Sequence, residues 1–240
     1  MTHSPLRSQR RAAFSSGIAL VLMALVAFFA QGYVYQSLII ENDPMTTYQN
    51  LMSHPTLFRF GIIGWGIIVG LDLIVAYGLY RVFKPLHVTF ALLIGALRFV
   101  YTLILAFAVL RLVEAERLLD TSASARQMYE TVTSFEAIWS FGLIVFGLHL
   151  IAIGWMAVRT RLIPRMIGIL LLLAGFSYTL VHVLYQFPAV EGMTAMLELF
   201  LMLPMFVGEL AFAVWLIVKG RTLPIHDLTR QSEGDASPAS

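Results

Sequence analysis

Six stretches of the chain run apolar for more than about 20 residues each: residues 12–35, 57–82, 88–112, 133–158, 163–187 and 193–218. Each is long enough to cross about 30 Å of hydrocarbon at about 1.5 Å per residue. None alternates apolar and polar side chains with a period of two, so none reads as a barrel strand. Unpaired backbone cannot face lipid, and six helices follow. The pattern predicts an all-α, polytopic membrane helix bundle. Residues 1–11 form a cytoplasmic N-terminal segment, residues 12–220 the six-helix transmembrane domain, and residues 221–240 a disordered cytoplasmic tail.

The first span is read as a retained helix and not as a signal peptide. Its apolar run exceeds a typical signal core, and Ala27-Phe28-Phe29-Ala30 lacks the small residue three positions before a cut. Between the first two spans, Asp43-Pro44 reads as an N-cap followed by a first-turn proline, opening a short surface helix to about Met52. Residues 114–131 continue charged and helical, broken near 121–124.

Composition removes the soluble alternatives. Hydrophobic residues make up 59% of the 240 and charged residues 12%, about half the share usual in soluble domains. The net charge of +2 is spread over short connections, which argues against a nucleic-acid partner. The chain has no cysteine, so disulfides and thiolate metal sites are excluded. No cofactor is expected, and the partner is the lipid bilayer. Homo-oligomerisation stays open, and no small-molecule ligand is identified.

Charge does set an orientation. Arg7, Arg10 and Arg11, then Arg81 and Lys84, then Arg159, Arg161 and Arg165, and finally Lys219, Arg221 and Arg230 gather at one side. The positive-inside rule makes that side cytoplasmic, so both termini lie in the cytoplasm.

The candidate chemistry lies at one depth. Counted from the cytoplasmic ends of their helices, Asp72 stands about 15 Å in, Arg98 about 16 Å, His149 about 14 Å and Glu209 about 15 Å. A charge at mid-bilayer costs about 2.5–3.5 kcal/mol even on the lenient insertion scale. Four such groups on four helices are tolerable when they face inward and pair. Arg98 keeps its charge and needs a carboxylate. Asp72 stands on the neighbouring helix of a hairpin, and Glu209 is the rival. Pro204, with Gly208, is expected to kink the sixth helix one turn from Glu209. A second, outer polar set comprises Gln31, Arg59, Glu136, His182 and Glu198, placed where snorkelling to the interface is cheap. Gly66 and Gly70 form a GxxxG that marks a candidate helix contact. Gly70-Leu71-Asp72-Leu73-Ile74 echoes Gly147-Leu148-His149-Leu150-Ile151, a faint internal repeat. No pair of histidines shares a depth suited to haem, and no hydrolase, zinc-protease or phosphate-loop motif occurs.

The stretch 142–175, with Phe146-Gly147-Leu148-His149 and Leu162-Ile163-Pro164-Arg165-Met166-Ile167-Gly168, resembles the bacterial domain of unknown function 4386. So do Leu57-Phe58-Arg59-Phe60-Gly61, the Asp72 and Arg98 positions, and Leu203-Pro204 through Gly208-Glu209-Leu210 to Val218-Lys219-Gly220. The resemblance spans about residues 12–220 and implies a multi-spanning protein of the bacterial inner membrane with no assigned activity. That family commonly carries an acid after the Gly-x-x-Tyr of the fifth helix; here Gly175-Phe176-Ser177-Tyr178 is followed by Val181 and His182.

Three roles fit these residues. The first is a carrier or small-molecule-binding protein with a proton-linked or anion-binding midplane. The second is a non-catalytic structural or accessory subunit. The third is an intramembrane enzyme using His149 and Glu209 on a lipid or isoprenoid, which ranks behind because Asp-rich and multi-His metal motifs are missing.

Overall fold

The computed structural model describes residues 5–121, 123–160 and 162–220. The segment read as a disordered tail, and Arg161, Arg221 and Arg230 from the charge pattern, lie outside the described residues. Everything regular among those described is helical. Helix α1 (Pro5–Ala27) runs on through a π-helical segment, Phe28–Tyr35, and one last α-turn, Gln36–Leu38. Then come the short α2 (Pro44–Ser53), α3 (Pro55–Phe83), α4 (Val88–Leu118), α5 (Ala125–Thr160), α6 (Arg165–Leu184) and α7 (Glu191–Lys219).

All but α2 are long and apolar enough to cross a membrane. The shortest, α6, has 20 residues, about 30 Å of helix. The observed ends differ from the apolar runs. Helix α4 continues to Leu118, and α5 begins at Ala125, because charged residues stay helical beyond the hydrocarbon. Helix α6 stops at Leu184, three residues short of the expected end at 187.

Each long helix packs on the next, and α7 returns to pack on α1, so the six close into a ring. Large apolar side chains such as Phe28, Phe107, Phe200 and Leu203 are exposed on the outside of this ring. A surface of that kind belongs in lipid. The ends of the ring differ. One carries α2 and the α4–α5 and α6–α7 connections, and is here termed the loop end. The other, the terminal end, carries the start of α1, the end of α7 and the remaining two connections.

Helix α2 lies across the loop end. Asn42 takes a positive φ of 57°, which asparagine tolerates, and donates its N–H to the Tyr129 hydroxyl at 2.9 Å. Asp43 then caps α2, accepting from the Thr46 amide at 3.0 Å and the Thr46 hydroxyl at 2.7 Å. These bonds, the amide first, hold the Asp43 carboxyl below its usual range. Sign follows from that: the cap is fully present above the ordinary carboxylate pKa and is lost as pH falls through the lowered value. In hydrogen exchange, Asp43→Ala is expected to speed the Thr46 and Thr47 amides at neutral pH, after correction for intrinsic rate. The wild type is expected to show the same change on acidification. Unchanged protection in the variant would mean that the cap contributes nothing.

Two glycine readings need correction. A Cβ on Gly66 or Gly70 would meet nothing within 4 Å, so this GxxxG faces outward and makes no helix contact inside the chain. The close approaches lie elsewhere. On α3, Gly61 receives Val34 and Gly64 receives Ala30 of the π-helical segment. On α5 and α6, Gly147 abuts the Gly175 carbonyl and Gly154 the Gly168 carbonyl. The repeat also fails at its first residue, since Gly70 is open where Gly147 is packed against backbone.

Candidate functional site

Asp72 lies on α3 and Arg98 on α4, each about 15–17 Å along its helix from the connection between them. The hairpin therefore brings them level. Arg98 Nε donates to Asp72 Oδ1 at 2.6 Å, and Nη2 bonds the same oxygen. The pair is dry, with Asp72 1% and Arg98 3% exposed. The guanidinium lies over the Phe146 ring, 4.9 Å from its centroid, and its Nη2 stands 3.9 Å from Met23 Sδ. Four helices thus meet at this ion pair: α1, α3, α4 and α5. Asp72 Oδ2 finds no donor among the described residues.

His149 is fully buried on α5. Its Nδ1 stands 2.9 Å from the Ile94 carbonyl of α4. A carbonyl only accepts, so Nδ1 carries the proton and Nε2 is left as an acceptor. Nε2 has no partner among the described residues. Glu209, on α7, is partly buried and takes the Tyr178 hydroxyl of α6 against its carboxylate. Arg98, His149 and Glu209 all border one cavity of about 10 Å³, the room a single water needs. Leu20, Leu79, Leu150, Ile153 and Phe212 wall it, lying toward the terminal end. The four midplane residues therefore do converge, with different surroundings. Asp72 takes Arg98 directly, while Glu209 and His149 face space.

Helix α7 runs unbroken through Pro204. Without an N–H there, the Phe200 carbonyl loses its usual partner four residues on. Gly208 serves packing, because a Cβ on it would meet the Leu170 carbonyl of α6 at 2.8 Å.

The outer set separates into two parts. Gln31, in the π-helical segment, donates to Glu136 at 3.1 Å, and Tyr35 also bonds Glu136. His182 Nδ1 stands 2.9 Å from the Ser140 hydroxyl, and Tyr185 donates to Glu198 at 2.5 Å. Glu198 and Glu136 are close enough to interact electrostatically. Arg59 belongs apart from these, exposed and paired with Glu116 at 2.7 Å. Sequence reasoning missed Tyr178, Tyr185 and Ser140. One signal for them existed: Tyr178, His182 and Tyr185 follow at i, i+4 and i+7, one face of a helix.

A family model for a domain of unknown function, DUF4386, matches residues 15–220. The chain belongs to this family. The DUF4386 match takes in every residue of the midplane layer and of the outer polar set, so both lie within the domain itself. An uncharacterized protein of Archaeoglobus fulgidus is 28% identical over 169 residues, covering 70% of this chain and 88% of that protein. A chain similar to this DUF4386 member therefore occurs in an archaeon. No solved structure matches it.

Proposed function

We propose that this DUF4386 protein is a proton-linked carrier or small-solute-binding protein of the cytoplasmic membrane, with both termini cytoplasmic. Its exchange site is the midplane, where Glu209 and His149 meet the ligand and the Asp72–Arg98 pair is a fixed support. The reading rests on one observation: Arg98, His149 and Glu209 from three helices border a cavity inside a closed ring. Ionisable groups held at mid-bilayer around a space commonly mark ion or substrate pathways. One guanidinium facing two carboxylates leaves one acid in excess, and Asp72 holds the guanidinium by direct contact. Glu209 is then the acid that takes up and releases a proton.

The Lys and Arg pattern supports the orientation.

The test is flux. Purified protein in liposomes loaded with a pH-sensitive dye is given a panel of small solutes under an imposed proton gradient. The wild type is expected to dissipate the gradient with at least one solute, and Glu209→Gln to lower that rate at least tenfold while staying folded. A wild type that moves no protons with any solute, or a Glu209→Gln protein that matches it, overturns the proposal.

A second reading is also supported. Asp72 and Arg98 are almost fully buried, as in a structural clasp that specifies packing without chemistry. On that reading Glu209→Gln changes stability alone.

A further inference from the structure

The two halves of the bundle differ in polarity along the ring's interior. Toward the terminal end, the residues beneath the midplane layer are mostly apolar and tightly shut, with the buried Ser16 hydroxyl of α1 packed against Gly78 of α3. Leu79, Ile153 and Leu216 are at most 1% exposed, and a Cβ on Gly17 of α1 would meet the Ala213 carbonyl of α7 at 2.9 Å. No polar side chain leads from the cavity through this wall among the residues that line it.

Toward the loop end the seam of α5, α6 and α7 is polar at every turn. Tyr178 stands against Glu209. One turn further, the His182 ring stacks on Tyr178 with centroids 6.1 Å apart and planes 15° apart. His182 bonds Ser140 of α5, and its ring neighbours that of Tyr185 at 5.9 Å. Tyr185 donates to Glu198 of α7, close to Glu136. Hydroxyl, imidazole and carboxylate groups thus alternate from the loop end to the midplane. A run of such groups through an apolar bundle is costly unless they are hydrated or bonded, and each can both give and take a hydrogen bond as protons redistribute.

We propose that Tyr178, His182, Tyr185, Ser140 and Glu198 form a hydrated access route joining Glu209 to the loop end, while the terminal end is closed, and that its cargo is a proton. A proton brought in by water adds to a Glu209 carboxylate oxygen, and the same O–H bond breaks when the site empties. The midplane site is therefore loaded from one side only in this conformation. The proposal rests on the midplane reading above and adds the side of access.

The chain has no cysteine, so single cysteines report accessibility directly. Purified protein in detergent, with both ends exposed, is treated with a charged methanethiosulfonate reagent. Ser140→Cys is expected to react at least tenfold faster than Phe141→Cys, which faces lipid, and Leu216→Cys, in the terminal wall beyond the cavity, to stay unlabelled. A Ser140→Cys rate no faster than that of Phe141→Cys overturns the route, and fast labelling at Leu216→Cys overturns the closed terminal end. Should Ser140→Cys fold poorly, radiolytic hydroxyl footprinting of the wild type decides. Tyr178 is expected to oxidise at least tenfold faster than Trp65, which is buried off the route; equal rates overturn the proposal. Neither measurement needs transport. Labelling without proton flux leaves the route standing and removes the carrier reading, and flux with an unlabelled route does the reverse.

Discussion

Arg98→Ala is expected to be the most damaging single substitution in the midplane, lowering stability by about 3–5 kcal/mol. Against a total of about 5–15 kcal/mol for a typical domain, that loss is expected to show as poor folded yield and a sharply lower melting temperature in detergent. The cause is what alanine leaves behind. Asp72 loses both of its charge-assisted bonds while remaining 1% exposed, and Glu209 loses the cation that borders its cavity. Two acids then sit inside the bundle with no opposite charge beside them. Arg98→Lys is expected to be intermediate, since an ammonium keeps the charge but not the planar fork that uses Nε and Nη2 together. The decisive variant removes both partners: Asp72→Leu/Arg98→Leu should recover most of the lost stability, because a buried pair exchanged for packed apolar side chains is often neutral. A double variant as unstable as Arg98→Ala would show that Arg98 acts through something other than Asp72. If the double variant folds and still moves protons, the pair is support alone and Glu209 carries the exchange.

How far these roles could be read in advance differs residue by residue. The helices were legible because a bilayer demands long apolar runs of anything that crosses it. Their ends were less so, since the charged turns before Leu118 and after Ala125 remain helical where hydropathy stops. The level of Asp72 and Arg98 followed from counting along a hairpin, and the two side chains are bonded in the structure. The choice between Asp72 and Glu209 did not follow, because depth fixes height and not rotation about each helix. The same ambiguity misled the reading of Gly66 and Gly70. Their spacing places both on one face, but only the ring's neighbours decide which way that face points. Hydroxyls such as that of Ser140 carried no distinguishing mark, since membrane helices commonly satisfy such groups locally. Their meaning came from what stands opposite them across the α5–α6–α7 seam.

The second large effect is expected at Gly147. A Cβ there would stand 2.3 Å from Thr179 Oγ1, 2.6 Å from the Gly175 carbonyl oxygen and 2.8 Å from the Thr179 amide nitrogen. Two of these three atoms are backbone and cannot turn aside. A Cβ on Gly175 would in turn stand 2.6 Å from the Gly147 carbonyl oxygen, and one heptad away a Cβ on Gly154 would stand 2.8 Å from the Gly168 carbonyl oxygen. Seven residues bring a helix back to nearly the same face, so α5 and α6 touch backbone to backbone at two levels. Gly147→Ala must therefore push the helices apart, an overpacking cost of about 1–3 kcal/mol, and Gly147→Leu a larger one. Gly66→Ala and Gly70→Ala supply the contrast. With open space around them, they gain only the helix preference of alanine, about 0.5–1 kcal/mol. Melting temperatures in detergent should thus move in opposite directions for the same change of residue. The consequence reaches the site, because α6 carries Tyr178 and His182 while α5 carries Ser140 and His149. Separating the two helices is expected to lengthen the Ser140–His182 bond and lift Tyr178 from Phe146, now 5.1 Å away between centroids. Gly147→Ala should accordingly raise labelling at Ser140→Cys as it lowers stability. A Gly147→Ala protein as stable as the wild type would show that α5 and α6 are not held at backbone contact.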